Sequence, residues 1–221
     1  PLPSGRLSLD EATIAMRVSL FLSVLLLLIG VVNLSDSVIG EEAIVSIGIW
    51  LLAIFLLASY EGVRGSNGLK HRGFAGNLAI AAAIGMDVLF GASAVSGTTD
   101  PRVISLAIIA IFYSLARELI KDIEDMDGDI DRNTIPRSIG VDNARSIAWI
   151  FTMAALISLF LPFIMEVFPK EHAILVAPGG LLLMLVKSKL FLGEDHVAQR
   201  LIKRSLQISM IGVIASAVIT G

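Results

Sequence analysis

The chain has 221 residues, 55% of them hydrophobic, with a mean hydropathy of +0.83. A soluble domain is nearer about 45–50% apolar, and one core of this size cannot hide the excess, so lipid is the expected solvent for much of the surface. The net charge of −3 gives no support for nucleic-acid binding, which usually leaves a basic stripe. The lack of cysteine excludes disulfides and thiol chemistry, and three scattered histidines (His71, His172, His196) argue against a histidine metal cluster.

The opening Pro1-Leu2-Pro3-Ser4-Gly5-Arg6 reads as a loop and lacks the basic start and apolar run of a signal peptide. The expectation is that the natural protein begins upstream. Ser8 and Glu11 then form a capping box that starts the first helix. Crossing a bilayer takes roughly 20 mostly apolar residues, and about seven stretches qualify or come close. They are 11–34, 42–60, 74–96, 103–120, 144–168, 172–191 and 197–220. Asp100-Pro101 and Asp142-Asn143 serve as start signals for two of them. None alternates with period two, so a β-barrel is disfavoured and the predicted fold is all-α, a multi-span transmembrane helical bundle. Small residues inside the spans, among them Gly76, Gly85, Gly91 and the alanines 81–83, let helices approach closely in lipid.

The connections alternate in charge. Arg6 opens the chain; Arg64, Lys70 and Arg72 crowd one loop; Arg117, Lys121, Arg132, Arg137 and Arg145 surround another; and Lys187, Lys189, Arg200, Lys203 and Arg204 flank a third. The intervening loops carry at most one Lys or Arg each, Arg102 and Lys170. Basic residues favour the cytoplasmic side, so seven spans place every basic-rich loop there and the C-terminus outside.

The strongest local signal runs from Arg117 to Asp129, Arg-Glu-Leu-Ile-Lys-Asp-Ile-Glu-Asp-Met-Asp-Gly-Asp, which continues an apolar helix and then dissolves into a polar loop. Asp122, Asp125 and Asp129 stand at i, i+3 and i+7, which stacks them on one helical face. Like charges so spaced repel unless a cation neutralises them, and an acidic last turn also opposes the helix dipole. A solvated helix end is the plain alternative. Mg²⁺ suits the position because it takes oxygen ligands and is commonly shared between one or two carboxylates and substrate phosphates.

Other acidic motifs fit less well. An EF-hand with Gly128 at its sixth position would put Ile123 at the first, so that pattern fails. Asp127-Gly128, Arg132 and Gly140 mimic half the motif of CDP-alcohol phosphotransferases, but Ala144 and Ala148 stand where the later aspartates belong. An ion-coupled transporter would hold its site near the bilayer midplane, not at a membrane edge.

The stretch Arg117–Asp129 closely resembles the second aspartate-rich motif of the UbiA-type prenyltransferases, Asp-x-x-Asp-x-x-x-Asp. Tyr60, Lys70, Gly73, Gly76 and Asn77 resemble a second block of that family, and Pro1–Arg6 resembles the segment that follows its first aspartate motif. One departure is that the stretch from Asp129 to Pro136 is about two residues shorter than usual, which leaves Arg132 and Thr134 without an assigned role. The resemblance implies a single membrane domain over 1–221 that lacks two of nine helices and the first motif. It implies Mg²⁺ as cofactor, held here by Asp122, Asp125 and Asp129, with an isoprenyl diphosphate and a lipid-soluble acceptor as substrates.

Chemistry then assigns the remaining roles. Asp122, Asp125, Tyr60 and Lys70 are the candidate catalytic residues. Tyr60 offers an electron-rich wall to a carbocation, with Tyr113 a second candidate, and an interfacial belt is the plain alternative for Tyr60. Lys70, Arg64, Arg72, Lys121, Arg117 and Arg6 are candidate phosphate-binding cations and Asn77 a hydrogen-bond donor; Lys121 and Arg117 equally suit balancing the aspartates. Asp87, deep in an apolar span, either lines a cavity or hydrogen-bonds a neighbouring helix. Within the family, the form of the motif most resembles archaeal enzymes that join geranylgeranyl diphosphate to geranylgeranylglyceryl phosphate; an aromatic quinone-precursor acceptor is the alternative.

Overall fold

The computed structural model describes residues 7–34, 41–62, 68–93, 98–128 and 132–220. Their helices are α1 (Leu9–Leu34), α2 (Glu41–Glu61), α3 (Phe74–Ser93), α4 (Pro101–Glu124), α5 (Ile135–Ile139), α6 (Val141–Ile164), α7 (Ala173–Phe191) and α8 (Asp195–Thr220), with 3-10 turns at Leu69–His71 and Lys170–His172. All but α5 belong to segments long and apolar enough to cross a membrane. The described residues contain no strand beyond a single parallel bridge between Arg72 and Asn133. The molecule is an all-α membrane bundle.

Local chemistry explains the helix starts. The Ser8 Oγ accepts from the Glu11 amide at 3.2 Å while the Glu11 carboxylate accepts from the Ser8 amide at 2.8 Å, so the capping box closes reciprocally. Asp100 caps α4 by accepting from the Arg102 amide at 2.8 Å, and Pro101 takes the first helical position, where a missing N–H costs nothing. The start expected at Asp142 lies one residue earlier: Gly140 turns with φ 85° and Val141 opens α6, leaving Asp142 in the first turn. The same helix stops at Ile164 rather than 168, because the chain turns at Met165 and Glu166, which has φ 60°.

Helix α4 is the centre of the bundle, packed by α3, α6 and α8, and α7 lies along α8. Its middle is held by a polar lock: Tyr113, 1% exposed, hydrogen-bonds Ser205 at 2.8 Å and Ser209 at 3.3 Å, and Ser205 donates to the Gly179 carbonyl at 2.7 Å. Hydroxyls with no water nearby find partners across helices. Tyr113 is therefore a packing residue, not a cavity wall. At the other edge α1 touches mainly α2, through Trp50 donating to Ser23 at 2.8 Å, and presents exposed Leu, Ile and Val to its surroundings. Such a surface suits lipid or further helices and would be untenable in water.

Candidate functional site

One end of the bundle gathers most of the predicted residues. The C-terminal turn of α4, the N-terminus of α3, the last residues of α2 and two loops meet there. The loops are held together by the Arg72–Asn133 bridge. Gly73 makes the junction possible: its φ of +53° suits glycine, and a methyl there would stand 3.2 Å from the Asn133 carbonyl.

Asp122 is the buried carboxylate of the site, 6% exposed. One of its oxygens accepts from the Asn77 amide at 2.8 Å, which ties α4 to α3. Arg132 and Lys121 attract its charge and Glu118, one turn earlier, repels it. A carboxylate taken out of water is costly, and the Asn77 hydrogen bond and these cations offset only part of that cost. Asp125 differs. Helix α4 ends at Glu124, and Asp125 is its C-cap, half-exposed, with Lys121 3.8 Å from its carboxylate. The helical stacking expected to reach Asp129 thus ends one turn too early, and Asp129 lies outside the described residues, as do Arg6 and Arg64.

The candidate cations are mostly partnered. Lys70 donates to Glu61 at 2.7 Å, and Arg117 pairs with Glu118 at 2.8 Å. Arg72 is exposed and its side chain has no such partner among the described residues. Tyr60, half-buried at the end of α2, has its hydroxyl 3.3 Å from the Arg132 guanidinium, which also donates to the Lys70 carbonyl at 3.2 Å. Asp87 stands on the exposed side of α3 without a hydrogen-bond or ion-pair partner among the described residues, so of its two expected roles the bond to a neighbouring helix is not seen there.

Sequence reasoning gave no role to Arg132, Glu61 or Glu118. The i−4 spacing from Asp122 marks Glu118; nothing in the local sequence marks Arg132, which reaches its partners across more than sixty residues. Thr134, 1% exposed, has a hydroxyl without a partner among the described residues. Thr134→Val keeps its shape and removes the orphan, so thermal unfolding should show unchanged or slightly raised stability, whereas a clear fall would reveal a hidden partner.

Among the described residues, no three Asp, Glu or His side chains converge as a metal cage. Mg²⁺ does not require one: one or two carboxylates, with water and phosphate oxygens completing the octahedron, are its usual share of protein. Asp122, fixed by Asn77, and Asp125, three residues on, are two carboxylates at this end of α4 and so fit such a share without a cage.

Residues 1–211 match the UbiA prenyltransferase family. Over 187 residues the chain is 33% identical to the digeranylgeranylglyceryl phosphate synthase of Haloquadratum walsbyi, covering 84% of this chain and 59% of that protein. The Saccharolobus solfataricus synthase is 31% identical over 166 residues, covering 74% and 53%. That of Methanothrix thermoacetophila is 28% identical over 214 residues, covering 96% and 71%. The chain thus spans a little over half the length of the first two relatives. A solved structure from work on digeranylgeranylglyceryl phosphate synthase in membranes superposes with a TM-score of 0.66 at 23% identity, over 98% of this chain and 73% of that one, a likeness of fold.

Proposed function

We propose that this chain, which belongs to the UbiA prenyltransferase family, carries the site of an intramembrane enzyme that transfers a geranylgeranyl group from its diphosphate to geranylgeranylglyceryl phosphate. The observation that carries this reading is Asp122, a buried carboxylate at the end of a spanning helix, oriented by Asn77 and faced by Arg132 and Lys121. Similarity to the archaeal synthases supports the lipid acceptor, and the basic loops support a cytoplasmic site.

Asp122 and Asp125 would hold Mg²⁺, with Asp129 a third candidate ligand. When bound, the metal neutralises charge on the departing diphosphate as a Lewis acid. Lys70, Arg72, Lys121 and Arg117 would supply positive charge to the phosphate oxygens, and Arg64 and Arg6, outside the described residues, are further candidates. Exposure favours the exchange: the Lys70–Glu61 pair leaves 31% and 66% of the two side chains in contact with solvent. Such pairs contribute only about 0–1 kcal/mol, so Lys70 can turn to a phosphate at little cost. As the allylic C–O bond breaks, the Tyr60 ring stabilises positive charge on carbon. The ether bond forms to the glycerol oxygen, whose proton is released.

Membranes containing the full-length protein should release diphosphate from geranylgeranyl diphosphate in a Mg²⁺-dependent manner when geranylgeranylglyceryl phosphate is supplied. In a parallel assay, 4-hydroxybenzoate should give none. Turnover with the aromatic acceptor alone would reassign the substrate; turnover indifferent to Mg²⁺ would remove the metal from the scheme.

A further inference from the structure

Arg132 sits where three parts of the site meet. Its Nε donates to the Lys70 carbonyl in the turn after α2, its Nη2 approaches the Tyr60 hydroxyl, and its charge acts on Asp122. The next residue, Asn133, bridges Arg72. One short stretch between α4 and α5 therefore grips the loop that carries Lys70 and Arg72 and the helix end that carries Tyr60. We propose that Arg132 is a positioning residue that latches this loop and Tyr60 against the acidic end of α4, an inference that rests on the prenyltransferase reading for its functional consequence.

The chemistry of the guanidinium explains why arginine serves here. It only donates, so the Tyr60 oxygen must be the acceptor in that pair, which fixes the hydroxyl and hence the position of the ring. Its planar fork reaches two acceptors at once, which a single ammonium on a flexible stem does not reproduce. The turn beneath closes on itself, with the His71 amide donating to the Gly68 carbonyl at 3.0 Å and the Arg72 amide to the Leu69 carbonyl at 2.8 Å. The Arg132 fork and the Arg72–Asn133 bridge tie it to the stretch before α5. The Lys70 side chain adds only the exposed pair with Glu61. Losing the fork would leave the Arg72–Asn133 bridge and loosen the cations' hold against the acidic motif without touching the bundle core.

The test compares Arg132→Gln and Arg132→Lys in the full-length protein. Amide hydrogen exchange in the absence of substrate should rise about tenfold for residues 69–73 in Arg132→Gln, with α6–α8 unchanged. The same variant should raise KM for the isoprenyl diphosphate by about 10–100-fold, the range expected when a supporting contact is lost, and lower kcat much less. Arg132→Lys keeps the charge near Asp122 but loses the fork, so it should remain closer to the glutamine variant than to wild type in both measurements. Unchanged exchange at 69–73 would overturn the latch. So would a lysine variant that behaves as wild type, or loosened exchange with an unaltered KM. Absence of any prenyl transfer by the wild-type protein would count against the functional reading alone, and the exchange comparison would still decide the latch.

Discussion

Replacing Asp122 by asparagine is expected to cut kcat/KM on the order of 10²–10³-fold while leaving the protein folded. The two halves of that expectation have separate causes. Asparagine keeps the size of the side chain, and its carbonyl can still accept from the Asn77 amide, which Asp122 holds at 2.8 Å. The α3–α4 contact should survive and the thermal midpoint should move little. What is lost is the negative charge proposed to hold Mg²⁺. Asp122→Ala should be worse in both respects, because it also strands the Asn77 amide, 4% exposed, at a cost of about 1–3 kcal/mol. Asp125→Ala provides the contrast: it removes a half-exposed C-cap carboxylate, so turnover should fall with scarcely any change in stability. Diphosphate release and thermal unfolding, measured on all three variants, separate the effects. Undiminished turnover in both Asp122→Ala and Asp125→Ala would end the metal assignment.

The largest effect on folding is expected at Gly212, far from the site. A methyl there would overlap the Leu175 carbonyl oxygen of α7 and stand 2.8 Å from the carbonyl carbon. Backbone cannot rotate away as a side chain can, so α7 and α8 must separate. The separation matters beyond that pair, since α8 carries the Ser205 and Ser209 hydroxyls that hold Tyr113 of α4. Overpacking of this kind costs about 1–3 kcal/mol, and Gly212→Val should exceed Gly212→Ala in lowering the thermal midpoint in detergent. Gly48→Ala is the control, because an added methyl there meets nothing within 4 Å. Equal midpoints for the Gly212 and Gly48 variants would refute the close α7–α8 contact.

Much of the architecture was legible because membrane spans are a matter of length and apolarity, properties of contiguous residues. Capping was legible for the same reason: Ser8 with Glu11, and Asp100 with Pro101, act within one turn. Boundaries were less so. The end of α6 at Ile164 depends on the turn at Glu166, a lone charged residue among Met165, Val167 and Phe168 that equally fits a helix continuing to the interface. The acidic motif was found by spacing, yet helical spacing assumes a continuing helix, and α4 ends before that spacing reaches Asp129.

The composition and the order of residues by themselves determined that this chain is a bundle of membrane helices, that it carries an acidic helix end rich in oxygen ligands, and that it resembles one family. Those conclusions rest on short-range regularities: hydropathy over a span, charge over a turn, a motif read in register. Only the tertiary structure decided that Asn77 orients Asp122, that Lys70 rests on Glu61, that Tyr113 of α4 is locked to α8, and that Arg132 joins Tyr60 to the Lys70 turn. These are pairings between polar groups from separate segments. In a low-dielectric interior a donor or charge left unpaired is costly, but which partner it finds is set by how the helices pack, and that choice is not written in any local stretch of sequence.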